Sequence, residues 1–331
     1  MEDMNMKYTI FRNSLLAAFA FAGVMTAATA SADDNVYVWK GGHVIQIVPA
    51  AGVDKVSMAS GNAAISVALK QGDPITAPTS MFDSITFVYN RPVSDEVLDV
   101  QFQKDGTAKD ISPFDNAIEK VDGTGTLSTY YNDDYGCYVG KLDGINFNVK
   151  GASHYEVDYT YNDDLWNALA DGYTVELLAE GTADATGAEA KWFSSTQGGG
   201  PFSVFVEKSK VLGYIANTKV DGGKNTYRWA NSETTYEKDT YYHLVAVYDK
   251  DQQKINLYLD GELASSVDAP GALTKPSNGF WKIFLFGDPG TEKGAKCAEA
   301  SFPGEIAIAR IYNTPMTDND VKALYINIKK K

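Results

Sequence analysis

The last third of the chain carries the pattern that most restricts its fold. In YYHLVAVYDKDQQKINLYLDGELASS (Tyr241 to Ser266), Leu244, Ala246 and Tyr248 alternate with Val245 and Val247 before a turn at Asp249 to Gln252. Ile255, Leu257 and Leu259 then alternate with Asn256 and Tyr258 and end on Asp260-Gly261. A period of two sends successive side chains to opposite faces of a strand, and Asp-Gly supplies the positive φ of a tight hairpin. The spacing predicts a meander of antiparallel strands. Further on, FPGEIAIARIYNTPMTDNDVKALY (Phe302 to Tyr325) places Ala307, Ile308, Ala309 and Ile311 on both strand faces, the mark of a central strand covered on two sides. A short helix is expected after it, with Thr317 and Asp320 at capping-box spacing and Val321, Leu324 and Tyr325 as its inner stripe.

The chain has 331 residues, 44% of them hydrophobic, which is room for one large domain and something small beside it. The 20 Tyr and 15 Phe suit strands with aromatic faces, so the expected class is all-β. A net charge of −14 has the wrong sign for a nucleic-acid binder and repels an anionic membrane surface.

Lys7 and Arg12 precede the apolar stretch Leu15 to Met25 and the small residues TAATASA. This reads as a signal peptide over 1–32, cleaved at Ala30-Ser31-Ala32, with a mature chain from Asp33 that is secreted, periplasmic or on the cell surface. The apolar core is shorter than the roughly 20 residues of a membrane span, and no other segment reads as transmembrane.

Residues 33–90 read as a small module of tandem β-hairpins. VYVWKGGHVIQIVPAAGVDKVSM (Val36 to Met58) aligns with ISVALKQGDPITAPTSMFDSITF (Ile65 to Phe87): strand, turn, strand, then Asp-x-Val/Ile-Ser/Thr. Either copy alone has a meagre core, so the hairpins are expected to pack on each other or on the large domain, with Trp39 inside. Tyr89 to Val97 reads as a linker, and 91–328 as the large domain, patterned from about Asp99.

The order of strand, Tyr242-His243, strand, LYLDG, FLFGD, GEIAIARIYN and T-x-x-x-V-x-x-LY resembles the concanavalin A-like jelly-roll sandwich of the laminin G-like type. In particular it resembles the form found in secreted Bacteroidetes proteins, in many of which similar short hairpin units precede larger domains. DGYTVELLAE (Asp171 to Glu180) resembles the first core strand, and KWFSSTQGGGPFSVFV (Lys191 to Val206) the next hairpin. In jelly rolls of this type the terminal strands lie side by side. The resemblance therefore implies a disulfide between Cys137 and Cys297, the alternative being two separate buried thiols. It also implies that a calcium ion can sit at the rim, for which Asn132-Asp133-Asp134, Asn162-Asp163-Asp164 and Asp288 offer oxygens without a defined ligand ladder. The metal stays unknown, and the three histidines His43, His154 and His243 show no ligand spacing.

This fold hosts lectins, adhesive domains and glycosidases, so function rests on the site. No catalytic residue is assigned. Glu156 and Asp158 begin an E-x-D-x-x-E pattern, but Tyr161 stands where the third carboxylate belongs, and both are expected to face solvent from a strand. Glu176 and Glu180 lie too far apart on one strand for a dyad and are expected on the outer sheet face. His243 is expected to pack and to hydrogen-bond backbone. No nucleophile elbow, phosphate loop or zinc motif occurs, and Gly198 to Gly200 reads as a loop tip.

Ring stacking against sugar faces, with polar groups to fix hydroxyls, is what glycan recognition requires. The densest candidates are Tyr227 and Trp229 on one face of a strand, Arg228 on the other, and Trp192 and Trp281 on strands that could neighbour it. The reading is a non-catalytic binding module for a glycan or polysaccharide at the cell envelope. The alternatives are a structural or protein–protein adhesion domain binding a cell-envelope protein, and, third, a glycosidase of concanavalin type.

Overall fold

The computed structural model describes residues 25–26, 35–58, 64–71, 74–86, 89, 91–158, 163–186, 189–195, 201–207, 211–275, 282–289 and 300–328. The chain divides into two compact units, Met1–Asn90 and Arg91–Lys331.

The first unit holds β1 (Met25–Thr26), β2 (Asn35–Lys40), β3 (His43–Pro49), β4 (Val53–Met58), β5 (Ala64–Leu69), β6 (Ile75–Pro78) and β7 (Ser84–Thr86). The two repeats exchange their third strands. Hairpin β2–β3 of the first repeat pairs with β7 of the second, while hairpin β5–β6 pairs with β4 of the first. The registers correspond: Val38 lies opposite Ile85, and the equivalent Val67 lies opposite Val56. In each copy a proline, Pro49 or Pro78, precedes a single 3-10 turn that turns the chain toward the other hairpin. One apolar cluster joins Val36, Val48 and Val53 to Val67, and another joins Val38 to Ile65 and Phe82, so neither repeat has a core of its own. Trp39 is buried as expected. Its Nε1 donates to Thr86 Oγ1 at 2.8 Å, and its ring stacks on Tyr89. The pair Met25–Thr26 forms a strand on β4; the rest of 1–32 lies outside the described residues.

The second unit begins with β8 (Glu96–Phe102), β9 (Ala108–Asp110), β10 (Ile118–Val121), β11 (Thr126–Asn132), β12 (Cys137–Asp143) and β13 (His154–Asp158). After helix α1 (Asp163–Leu169) come β14 (Gly172–Gly181), β15 (Glu189–Ser195), β16 (Ser203–Glu207), β17 (Val211–Lys219), β18 (Thr226–Thr235) and β19 (Tyr241–Asp249). The chain ends with β20 (Lys254–Leu259), β21 (Glu262–Asp268), β22 (Ala272–Leu273), β23 (Lys282–Leu285), β24 (Gly304–Tyr312) and helix α2 (Asp318–Ile328). Nine strands form one sheet, β11-β12-β24-β14-β19-β20-β21 with β8 and β9 attached through β24. Eight form the other, β10-β13-β23-β15-β16-β17-β18 with β22 on β17. Side chains from the facing surfaces, Val175 and Leu177 from one sheet and Trp192, Phe193 and Val204 from the other, make one core. This is the all-β sandwich of the jelly-roll class.

The expected meander is β19–β20–β21. Asp260 and Gly261 both take positive φ, 51° and 83°, as a two-residue hairpin needs. Gly261 is required a second time, because a Cβ there would meet the Tyr325 ring atoms of α2 at 2.9 Å. Strand β24 is central, between β14 on one side and β12 and β8 on the other. Helix α2 starts in the predicted box: Thr317 N donates to Asp320 Oδ2 at 3.0 Å and Asp320 N to Thr317 Oγ1 at 3.3 Å.

Four expectations need correcting. Tyr89 to Val97 is not linker throughout, because β8 starts at Glu96 and Val97 is wholly buried. Glu156 does not face solvent. It is buried and takes Lys282 Nζ at 2.5 Å, while Asp158 is about half exposed. Glu176 lies on the outer sheet face as expected, yet it is fully buried there. Arg310 Nη1 reaches its Oε2 at 3.1 Å and Tyr312 donates to the same oxygen at 2.7 Å. His243 bonds this carboxylate and not backbone through its ring, Nε2 lying 3.2 Å from Glu176 Oε1, and it stacks on Tyr325. Arg310 also donates to Asp99 of β8 at 3.0 Å, and Asp99 accepts from Arg91 at 2.9 Å. Burial opposes the charge on Glu176, but Arg310, His243 and Tyr312 outweigh it and hold the carboxyl far below the usual carboxylate range.

Two predictions follow from this charge layer. Glu176→Ala removes the buried acceptor shared by Arg310, His243 and Tyr312, leaves Arg310 with Asp99 alone, and should cost about 3–5 kcal/mol in denaturant unfolding; a loss under 1 kcal/mol would contradict the assignment. Glu96, beside Arg91, is pushed up from 4.5 to about 7, by burial first and then by Asp99 and Glu176 against its arginines. A carboxyl raised on folding favours the folded state while protonated. Its contribution is full below about pH 4.5 and fades as pH climbs to about 7. Thermal unfolding of Glu96→Gln should therefore lose part of the drop in Tm that the parent shows between those pH values.

Candidate functional site

The eight-stranded sheet turns its outer face away from the core, and pairing registers lay one row across it. Glu156 of β13, Phe284 of β23, Ser194 of β15, Ser203 of β16, Ile215 of β17 and Trp229 of β18 lie successively opposite one another. Residues opposite one another point to the same side, so these six side chains share the face. Alternation predicts this for most of them. It fails at β15, where the register shifts between Lys191 and Phe193. Trp192 and Phe193 both turn into the core as a result, and Trp192 packs against Phe302 with ring centroids 5.0 Å apart. Fully buried, Trp192 has no open face for a ligand, and its Nε1 has no hydrogen-bond partner.

The middle of the row is polar but closed. Lys191 Nζ is buried against Asp288 and lies 3.2 Å from Glu189 Oε1. Burial works against the ammonium, yet Asp288 and Glu189 hold its pKa above the ordinary value, so it stays charged and paired. Phe286, buried at φ 70°, donates its N–H to Trp192 O at 2.6 Å and sets the turn that brings Asp288 to Lys191. Ser203 Oγ donates to Ser194 Oγ at 3.0 Å. At the β13 end, burial pushes Glu156 up, but hydrogen bonds from His154 and Lys282 outweigh it and leave the carboxyl below its ordinary value.

The β18 end is open. Tyr227 and Trp229 are 47% and 43% exposed, neighbours on one face of the sheet's last strand. Two residues of strand separate them by about 6.6 Å. Trp229 is braced from below, its ring meeting the buried Phe205 edge-on at 5.5 Å and 80°. Phe205 lies over Gly213, where a Cβ would stand 2.2 Å from its ring. Arg228 sits on the other face, opposite Ala216, and donates from Nε to Thr218 Oγ1 at 3.2 Å. The structure thus brings Tyr227 and Trp229 together and places neither Trp192 nor Arg228 with them; Trp281 lies outside the described residues.

Sequence reading missed Asn217. It stands directly opposite Tyr227 on β17, is 2% exposed, and neither Oδ1 nor Nδ2 has a hydrogen-bond partner. The IANTK stretch gives no hint of this, since burial and isolation of the amide depend on strands far along the chain.

On the other sheet, Glu180 and Glu305 lie opposite one another between Lys141 and Tyr241. Glu305 accepts from Tyr241 at 2.7 Å and sits 3.2 Å from Lys141 Nζ. Burial, Glu305 and Asp239 push Glu180 up to about 7. Of the oxygen-rich turns, Asn132 Oδ1 accepts from Asp134 N at 2.9 Å to close its own turn, Asp163 opens α1, and Asp288 is held by Lys191. Among the described residues no three His, Cys, Asp or Glu side chains converge on a common point. Cys137 opens β12 with its Sγ 3.8 Å from Ala307 O of the neighbouring β24, and Cys297 lies outside the described residues.

A laminin G-type family model, described as the concanavalin A-like lectin/glucanases superfamily, matches residues 158–322. The second unit carries a domain of that superfamily. Among solved structures, the binding domain of botulinum neurotoxin DC in complex with rat synaptotagmin II is similar at TM-score 0.51 and 13% identity, over 71% of this chain and 52% of that one. The same binding domain in complex with SialylT is similar at TM-score 0.51 and 12% identity, with the same coverage. So is botulinum neurotoxin type C, in a structure titled for cell entry dependent upon interaction with two ganglioside molecules, at TM-score 0.51 and 10% identity over 71% and 52%. This chain spans about half the length of those chains, and at such identities the likeness is one of fold. No curated protein matches the chain. Among the described residues no helix is long and apolar enough to cross a membrane.

The brace under Trp229 can be tested directly. Gly213→Ala must push the Phe205 ring aside and should cost about 1–3 kcal/mol. In heteronuclear NMR the Trp229 indole N–H resonance should move while that of Trp39 stays; an unmoved Trp229 signal would refute the contact.

Proposed function

We propose that the protein is an exported, non-catalytic binding module that recognises a glycan or polysaccharide at the cell envelope through Tyr227 and Trp229. The observation that carries this reading is the pair of half-exposed rings side by side on the last strand of a sheet whose middle and other end are closed by the Lys191–Asp288 and Lys282–Glu156 pairs. Large aromatics are costly to leave in water, and a firmly braced exposed ring offers stacking area without paying to be ordered. The neurotoxin binding domains share the fold; one is seen in complex with SialylT, and cell entry of another depends on interaction with two ganglioside molecules. Export rests on the basic and then apolar N-terminus, and a non-catalytic role on the aromatic end of the face, where among the described residues no carboxylate pair is seen beside the rings.

The test is a glycan array and affinity electrophoresis with the purified chain. Binding by the parent should fall at least about tenfold in Trp229→Ala, about 1.4 kcal/mol. Silence of a folded parent protein toward every glycan would sink this reading in favour of a protein partner. Fractionation of the producing cells tests export: retention in the cytoplasm would contradict it.

A further inference from the structure

Asn217 is a polar side chain that the fold itself does not use. Its amide offers two donors and two acceptor lone pairs, and none is engaged although the residue is 2% exposed. A buried amide left unpaired destabilises a fold, and such groups in native proteins call for a reason. A second group of the same kind lies beside it. Thr274 N donates to Asn217 O at 2.9 Å, and the pairing of Leu273 with Thr218 and of Ala272 with Lys219, carried one step on, sets Thr274 opposite Asn217. Its Oγ1 is also buried and unpartnered. Thr274, Asn217 and Tyr227 therefore form a row of their own across three strands, next to the row that ends in Ser203, Ile215 and Trp229.

We infer that Asn217 and Thr274 are the polar specificity contact of the aromatic ledge, and that the ligand they select is a neutral pyranose with adjacent hydroxyls. This rests on the glycan reading and says which atoms decide among glycans. An amide that both donates and accepts, with a hydroxyl one strand away, matches a pair of neighbouring sugar hydroxyls, while Trp229 takes the apolar ring face. A site built on buried unpaired groups rejects analogues lacking the matching hydroxyl more strongly than an apolar pocket does. Neutrality follows from the side chains of the two rows at this end, Thr274, Asn217, Tyr227, Ser203, Ile215 and Trp229, none of which is charged. Of the cations nearby, Arg228 is committed to Thr218 on the opposite face and Lys191 to Asp288, while Lys219 stands exposed one row further out on β17, beyond the rows that face the ligand. The net charge of −14 repels a polyuronate as a whole. The amide is closed to solvent in the free protein, so entry requires the side chains around it to move; Tyr227, its half-exposed cross-strand partner, is free to rotate as surface side chains do.

The experiment measures binding of the purified chain to mixed-linkage β-glucan, galactomannan, arabinoxylan and polygalacturonate, with Trp229→Ala, Asn217→Leu and Thr274→Val beside the parent. The expected result is binding to at least one neutral polymer, weaker in all three variants, by tenfold or more in Asn217→Leu. Asn217→Leu should at the same time raise Tm by about 2–4 °C, because it removes an unpaired buried amide at similar volume. Parent silence toward all four polymers overturns the inference together with the glycan reading. Binding lost in Trp229→Ala but unchanged in Asn217→Leu overturns the inference alone. So does preference for polygalacturonate. An unchanged or lowered Tm in Asn217→Leu also overturns it, since the amide would then have a partner in the free fold.

Discussion

The carboxylate of Glu176 is the interaction on which the large domain is assembled. It sits fully buried near the middle of β14, and its partners come from the strands on either side, Arg310 and Tyr312 from β24 and His243 from β19. Arg310 carries the link onward to Asp99 of β8, which Arg91 also holds. A buried charge is costly unless every partner is in register, so this arrangement tolerates no slip of β14 against β24. The first strand of the domain, its central pair and the approach to the last helix are thereby fixed by one group. The apolar core between the sheets supplies most of the favourable free energy, but apolar contact alone would be less exacting about register.

That division separates the outer faces of the two sheets. On the nine-stranded sheet, charge pairs and helix α2 occupy the outer face, with Val321 and Leu324 buried beneath the helix and Tyr325 stacked on His243. On the eight-stranded sheet, Lys191 with Asp288 and Lys282 with Glu156 close the middle and one end by neutralising each other. Only toward β18 do the side chains of that row become uncharged and exposed. The location of the candidate site thus follows from where buried charge stops.

The architecture was legible because it rests on local chemistry. The alternation in Leu244 to Leu259, the positive φ at Asp260-Gly261 and the box at Thr317 and Asp320 each depend on residues within a few positions, and all three take the expected form. Tyr227 and Trp229 sharing a face was legible for the same reason. Trp192 was not, since the register shift beside it is decided by its partner strands and reverses the parity of alternation. Glu156 and Glu176 looked like surface carboxylates because their cations, Lys282 and Arg310, stand 126 and 134 residues away. The exchange of third strands in the first unit was hidden too: the repeat is plain in the sequence, but two copies of a hairpin unit read the same whether each keeps its third strand or gives it to the other.

Buried polar atoms without partners distinguish structural leftovers from a site. Trp192 Nε1, His243 Nδ1 and Ser301 Oγ are such atoms; the first belongs to a ring packed on Phe302 and the second to the ring that bonds Glu176 in the charge layer. An isolated case costs little and can be carried by a large core. Asn217 and Thr274 differ in kind, because three unpaired atoms on adjacent strands face the same side and end at an exposed tyrosine. Random burial would scatter such atoms over both faces. Their convergence beside a braced tryptophan is what a fold retains when the missing hydrogen bonds arrive with a ligand, and it is on this row that stability and recognition are set against each other.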